Sequence, residues 1–423
     1  MTSIRVFYAR LFCNFCVCRG AVQGLMLVAF LILAGSSVSA QLQQSDNTAD
    51  EDAKLAQPVV RAFGYGELEA MTIEQLTKLY NDESEVLRQV CKDLRREGTR
   101  FFHATSIDSA KHSKIWQKHA DLGKKTFQRL KEISLVLYLK TPEPDLDLAR
   151  MARIMYGKSF EEGRLGICYE VNKKLVKSFP DEQEVADDFA RIAAYTNDFD
   201  TAADFLESNK ATVLKFPIFD SSLFANLDKQ RERWARELEL RKKEAKADNL
   251  PRVEIVTSKG SIVVELFEDH APGTVGNFVS LVEQEFYQDL IFHLVMRNYR
   301  AQGGIVTQDQ VRETGYEIFD ESTLPDARSI FRGSICMSHP IAAKGASEFF
   351  INLSPEPFLE TKAMPTVIGR VIEGMEVVEA LNVTAKLEGV GPKVLKEAQP
   401  DVILSTKVLR KREGSVYEPK IDE

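Results

Sequence analysis

Arg300 and Gln302 stand two residues apart in Tyr299-Arg300-Ala301-Gln302, a spacing that turns both side chains to one face of an extended strand. Other residue types able to do chemistry are poorly spaced for it. His112 and His119 are seven apart, two helical turns or about 10 Å, and do not make a metal pair. The six cysteines fall into two sets. Cys13, Cys16 and Cys18 cluster near the amino terminus, whereas Cys91, Cys168 and Cys336 are far apart. That pattern is neither a disulfide scaffold nor a zinc site; buried thiols are the default, with one disulfide open in an oxidising compartment. No Walker loop, dinucleotide fingerprint, serine triad or metal-ligand set occurs, so no cofactor and no metal is expected.

These residues need elements to position them, and 423 residues provide enough chain for two or three domains. The composition, 44% hydrophobic and 28% charged, is that of ordinary globular protein. A formal charge of −8 argues against a nucleic-acid partner, because phosphate contacts need a surplus of Lys and Arg. Arg5, Arg10 and Arg19 precede an apolar run from Leu25 to Ala34, and Val38-Ser39-Ala40 closes with small residues. This reads as a signal peptide over residues 1–40, cleaved after Ala40. A spanning anchor is the competing reading, but the run falls short of the roughly 20 apolar residues a bilayer needs. The expectation is a periplasmic or secreted protein, more acidic once the three arginines leave, with no membrane association after cleavage.

Residues 41–57 are polar and acidic and read as a flexible tether. A helical domain is expected over residues 58–225. Leu76, Leu79, Val86, Val90 and Leu94 recur at helical spacing between Thr72 and Phe102, and a second helical stretch from Ser109 to Tyr138 ends before Thr141-Pro142-Glu143-Pro144. Ala152-Arg153-Ile154 followed by Phe160 is echoed by Ala190-Arg191-Ile192 followed by Phe199. Small residues where helices cross and a bulky one at the turn suit stacked helical hairpins. The pattern resembles the tetratricopeptide class with a longer period; a plain helical bundle is the alternative. Residues 226–250, dense in mixed charge, read as a solvated linker helix ended by Asn249-Leu250-Pro251.

After Pro251 the period changes to that of strands. Val253 to Thr257 and Ser261 to Leu266 flank a glycine turn at Gly260, and Pro272 sits in the first turn of a helix. Short strands are expected at Leu290–Met296, Tyr299–Gln302, Gly333–Ser338, Glu348–Leu353 and Val367–Val371. Many short strands with two helices make a closed antiparallel barrel. The ordered segments Gly260-Ser261-Ile262, Ala271-Pro272-Gly273-Thr274-Val275-Gly276-Asn277-Phe278, Ile291-Phe292-His293, Gln302-Gly303-Gly304, Ser347-Glu348-Phe349-Phe350-Ile351 and Val367-Ile368-Gly369-Arg370-Val371 resemble a cyclophilin. The fold class is thus multidomain: helical hairpins or a bundle, then a cyclophilin-like eight-stranded barrel with two helices over 251–412 and a tail at 413–423. The resemblance covers none of the helical part.

It implies peptidyl-prolyl cis-trans isomerisation, with proline-containing polypeptide segments as substrates. Carried over residue by residue, Gln302, Phe350 and Leu359 match the family's site and Tyr299 matches conservatively. His339 takes a substrate-binding position. Leu294 replaces the catalytic arginine, Glu348 replaces a glutamine, and Pro365 follows an insertion where the family has a histidine. Three placements stay open for Arg300: supplying the missing cation, pairing with Glu348 to close the pocket, or reaching solvent. His293 reads as a core histidine. The expected activity is therefore a weakened prolyl isomerase that assists folding of exported proteins, its helical part positioning clients. A proline-binding module without turnover, whose helical part docks a partner protein, is the alternative. In a third reading the barrel is a rigid cap on a helical scaffold.

Overall fold

Thr72 sets where the first long helix begins. Its Oγ1 accepts the Gln75 N–H at 3.2 Å while Gln75 Oε1 accepts the Thr72 N–H at 2.9 Å, a reciprocal cap that satisfies two amides. The computed structural model describes residues 67–104, 106–156, 163–208, 210–211, 218–304, 314–338, 346–355, 365–388 and 391–421. The expected signal peptide, the tether and Phe160 lie outside them. The capped helix is α1 (Ile73–His103), and α2 (Ser106–Lys140) packs back along it, burying Leu76, Leu87, Val90, Leu130 and Ile133. α2 stops two residues before Pro142, and α3 (Leu146–Tyr156) follows. No helix among the described residues is long and apolar enough to cross a membrane.

The chain divides into two compact units, and of the described residues the first holds 67–155 and the second 156–421. In the second unit come α4 (Leu165–Ser178), α5 (Gln183–Tyr195), α6 (Phe199–Glu207), α7 (Ile218–Ala225) and α8 (Leu227–Ala247). Ala190 of α5 and Phe199 of α6 are fully buried, as is Ala152 of α3 within its own unit.

The sheet follows. Strands β1 (Arg252–Thr257) and β2 (Gly260–Leu266) pair as a hairpin. Gly260 makes the turn at φ +136°, a backbone that side chains resist. Helix α9 (Pro272–Glu283) starts on its proline, and the Glu321 carboxylate accepts the Gly273 and Thr274 amides at 3.0 and 2.8 Å. Then come β3 (Leu294–Met296), β4 (Arg300–Gly303), β5 (Ser334–Met337), β6 (Phe349–Asn352), β7 (Thr366–Glu373) and α10 (Met375–Ala380). A separate hairpin, β8 (Ala385–Glu388) and β9 (Gly391–Val394), precedes β10 (Ile403–Arg410). The eight-stranded antiparallel sheet runs β10-β1-β2-β7-β5-β6-β4-β3. It curls back on itself: just before β3, Ile291 bridges Val402, and Ile403 N–H donates to the Leu290 carbonyl at 2.7 Å.

Period-two alternation separates two surfaces. Val253, Val264, Val295, Ala301, Ile335, Phe349, Ile351 and Ile368 fill the interior with Val275 and Phe278 of α9. Phe350, Cys336 and Val367 point the other way and join Leu250, Phe267 and Ile330 in a smaller cluster.

The charged run at 228–248 departs from expectation, being a docked helix and not a solvated linker. Gln230, Trp234, Glu237 and Arg241, at four-, three- and four-residue spacing, are buried along one side of α8. Arg328 grips Glu237 with two bonds of 2.8 Å, Arg241 adds a third at 2.8 Å, and Arg328 also reaches Glu244. Trp234 packs 4.7 Å from the Phe331 ring. A charged helix can be buried when each charge meets a partner, here contributed from about ninety residues further along the chain.

Candidate active site

Strand register brings the candidate residues together. Leu294 lies opposite Gln302, Gln302 opposite Phe350, and Phe350 opposite Cys336. One step along, Met296, Arg300 and Asn352 form the adjoining row. Laterally paired residues share a face, as do residues two apart along a strand. Leu294, Arg300, Gln302 and Phe350 are therefore on one surface, outside the barrel core, and Glu348 lies two residues before Phe350 on the same side.

Phe350 is the floor of this surface. Its ring is 4% exposed within the cluster of Leu250, Phe267, Ile330, Cys336 and Val367. The Arg300 guanidinium lies over it, 5.0 Å from the Phe350 ring centre and 5.1 Å from that of Tyr299. A cation at this distance is attracted to both ring faces. Of the three placements open to Arg300, this is the one within the site. The side chain is partly exposed, and its guanidinium is not bonded to Glu348.

Glu348 has different partners. Its Oε1 accepts the Gln302 Nε2–H at 2.6 Å and faces His293 Nε2 at 3.2 Å. Burial alone would push this carboxyl up. The hydrogen bonds from His293 and Gln302 more than offset burial and, with help from Ser338, hold it below the usual carboxylate range. His293 sits just ahead of β3 with its carbonyl accepting the Thr384 hydroxyl at 2.9 Å, and the same Thr384 oxygen accepts the Val295 N–H at 2.7 Å. The start of β3 is thus pinned at both ends of a three-residue stretch. Read as a core histidine, His293 is instead a partner of the site carboxylate. The readable signal was a carboxylate at an amide position together with a nearby imidazole.

His339 and Leu359 lie outside the described residues, so the pocket wall expected from them is not described. Among the described residues, no group of three His, Cys, Asp or Glu side chains is arranged to hold a metal ion. The arrangement offers an aromatic seat, a cation above it and an anchored carboxamide beside it.

Comparison with known proteins places the C-terminal domain in a family. Residues 252–408 match the family of cyclophilin type peptidyl-prolyl cis-trans isomerases. The peptidyl-prolyl cis-trans isomerase ppi1 of Schizosaccharomyces pombe is 35% identical over 130 residues, which are 30% of this chain and 83% of that protein. A peptidyl-prolyl cis-trans isomerase of Acinetobacter baylyi is 37% identical over 164 residues, 37% of this chain and 84% of that one. Among solved structures, a cyclophilin type isomerase of Cryptosporidium parvum aligns with 38% of this chain and 97% of its own, at 24% identity and a TM-score of 0.30. With 35% identity to an isomerase of which it covers 83%, the chain belongs, through its C-terminal domain, to the cyclophilin-type peptidyl-prolyl cis-trans isomerases.

Proposed function

We propose that this isomerase acts on exported polypeptides outside the cytoplasm, with a turnover lowered by Leu294 and partly restored by Arg300. Resonance opposes rotation about an X–Pro bond by about 18–20 kcal/mol. Rotation is eased where the twisted bond is favoured, because the proline nitrogen then regains its lone pair. An apolar seat for the ring and a nearby donor do this. The observation that carries the reading is the position of Arg300, over Phe350 and on the same face as Gln302. Losing one pre-organised donor typically costs about 10²–10³ in rate, the deficit that Leu294 imposes and Arg300 offsets.

The test is exchange of a proline tetrapeptide measured on the full chain by NMR. Leu294→Arg should raise kcat/KM by about 10², and Arg300→Ala should lower it by about tenfold. Unchanged exchange in Arg300→Ala would remove the cation from the mechanism, and binding without exchange in every form would favour the module without turnover. Near-complete burial of Phe350 favours the third reading, the rigid cap, since a proline ring must displace what covers it.

Export rests on the amino-terminal pattern. A purified protein beginning at Gln41 is the expected product, and an intact Met1 terminus in the mature fraction would overturn it.

A further inference from the structure

We infer that Glu348 is a positioning residue: it locks the Gln302 carboxamide so that this side chain offers an acceptor to a backbone N–H of the bound peptide. The inference rests on the isomerase reading and deepens it.

An ionised carboxylate can only accept. With Glu348 Oε1 2.6 Å away, the Gln302 amide must turn its NH₂ toward it. Glu348 stays ionised because the bonds it receives outweigh its burial, and His293 holds the same oxygen from the other side. Gln302 Oε1 is therefore directed away from the carboxylate. Gln302 is only 8% exposed, and its Oε1 has no hydrogen-bond partner among the described residues. A buried acceptor left unpaired is costly. Directly across the strand the neighbour is Leu294, which has no polar atom to offer. On the same face, the Arg300 guanidinium lies over the rings of Tyr299 and Phe350, and its Nε makes no hydrogen bond among the described residues, to Gln302 included. A main-chain N–H from an extended peptide laid along this surface meets the need.

The experiment is a titration of the full chain with a proline tetrapeptide and with depsipeptides in which each backbone N–H flanking the proline is replaced in turn by oxygen. The swap removes the donor and little else. One such depsipeptide should bind the wild type about tenfold more weakly than its parent, equivalent to about 1.4 kcal/mol. In Glu348→Gln the neighbouring amide accepts either orientation of Gln302, so the ratio for that pair should shrink. A wild type that binds every depsipeptide within twofold of its parent would overturn the inference while leaving the isomerase reading intact. So would an undiminished ratio in a Glu348→Gln protein whose melting curve shows it folded. The wild-type series decides the matter even without the variant. Absence of binding by any peptide would remove both readings together.

Discussion

Leu294 faces Gln302 across a strand pair, so a single aliphatic side chain lies where it can most change what the site offers a peptide. Next to it, Glu348 works through the groups it holds, and its acidity is open to test. Its pKa is lower in the fold than in an unfolded chain, so it stabilises the protein above the ordinary carboxylate range. That contribution is lost as pH falls through the depressed value. Wild type should therefore melt above Glu348→Gln near neutrality, with the gap closing only in strong acid; a gap constant over the whole range would show the charge to be immaterial. The shared face of Arg300 and Gln302 was legible because strand alternation is local. The bonding of Glu348 was not, since Gln302 lies 46 residues away and only the fold joins them. Residue type alone left Arg300 three destinations, and its contact with two aromatic rings comes only with the fold.

At the scale of elements, the hairpin turn at Gly260 and the proline start of α9 could be read from neighbouring residues. Helix α8 could not. Its sequence has the mixed charge of a solvated helix, and the difference lies in Arg328, in Phe331 and in Arg370, which meets Glu244 at 3.5 Å, all far along the chain. Arg328 and Arg241 converge on Glu237, whose carboxyl is opposed by burial yet lowered by the two guanidinium groups from 4.5 to about 2. Removing it would leave the buried Arg241 without its carboxylate and Arg328 with Glu244 alone. Glu237→Ala should cost about 3–5 kcal/mol in urea unfolding, the usual size for breaking one side of a buried ion pair. A loss below about 1 kcal/mol would mark the pair as solvent-relaxed. The sign with pH is fixed: the Glu237 contribution is complete above about 4.5 and fades as pH drops toward 2. Strand β10 shows a related limit, because its pairing partner β1 lies about 150 residues earlier in the chain.

The whole chain places its most specific chemistry on a surface whose floor is shared with the helical layer of the same unit. Leu250, the residue that ends the α8 connection, belongs to the Phe350 cluster. Asn197, at a helix corner with φ +69°, accepts the Arg332 N–H at 3.0 Å and donates to the Arg332 carbonyl at 3.1 Å. Phe331, beside it, is fully buried among Phe199 and Trp234, and Arg332 reaches Glu379 at 2.7 Å with both side chains buried. A barrel cut at Pro251 would expose Phe331, take Asn197 from Arg332 and take Leu250 from the Phe350 cluster. Burying one large apolar side chain stabilises by about 1.5–3 kcal/mol, so losing several exceeds the reserve of many small domains. A fragment from Tyr156 to Glu423 should therefore unfold in a single transition and retain the prolyl activity of the full chain. The fragment from Pro251 to Glu423 should melt well below it, bind a hydrophobic dye and turn over prolyl peptides more slowly. Equal melting temperatures and equal rates would show that the family's barrel stands alone here as well, and that the helices beside it are passengers of the catalytic surface.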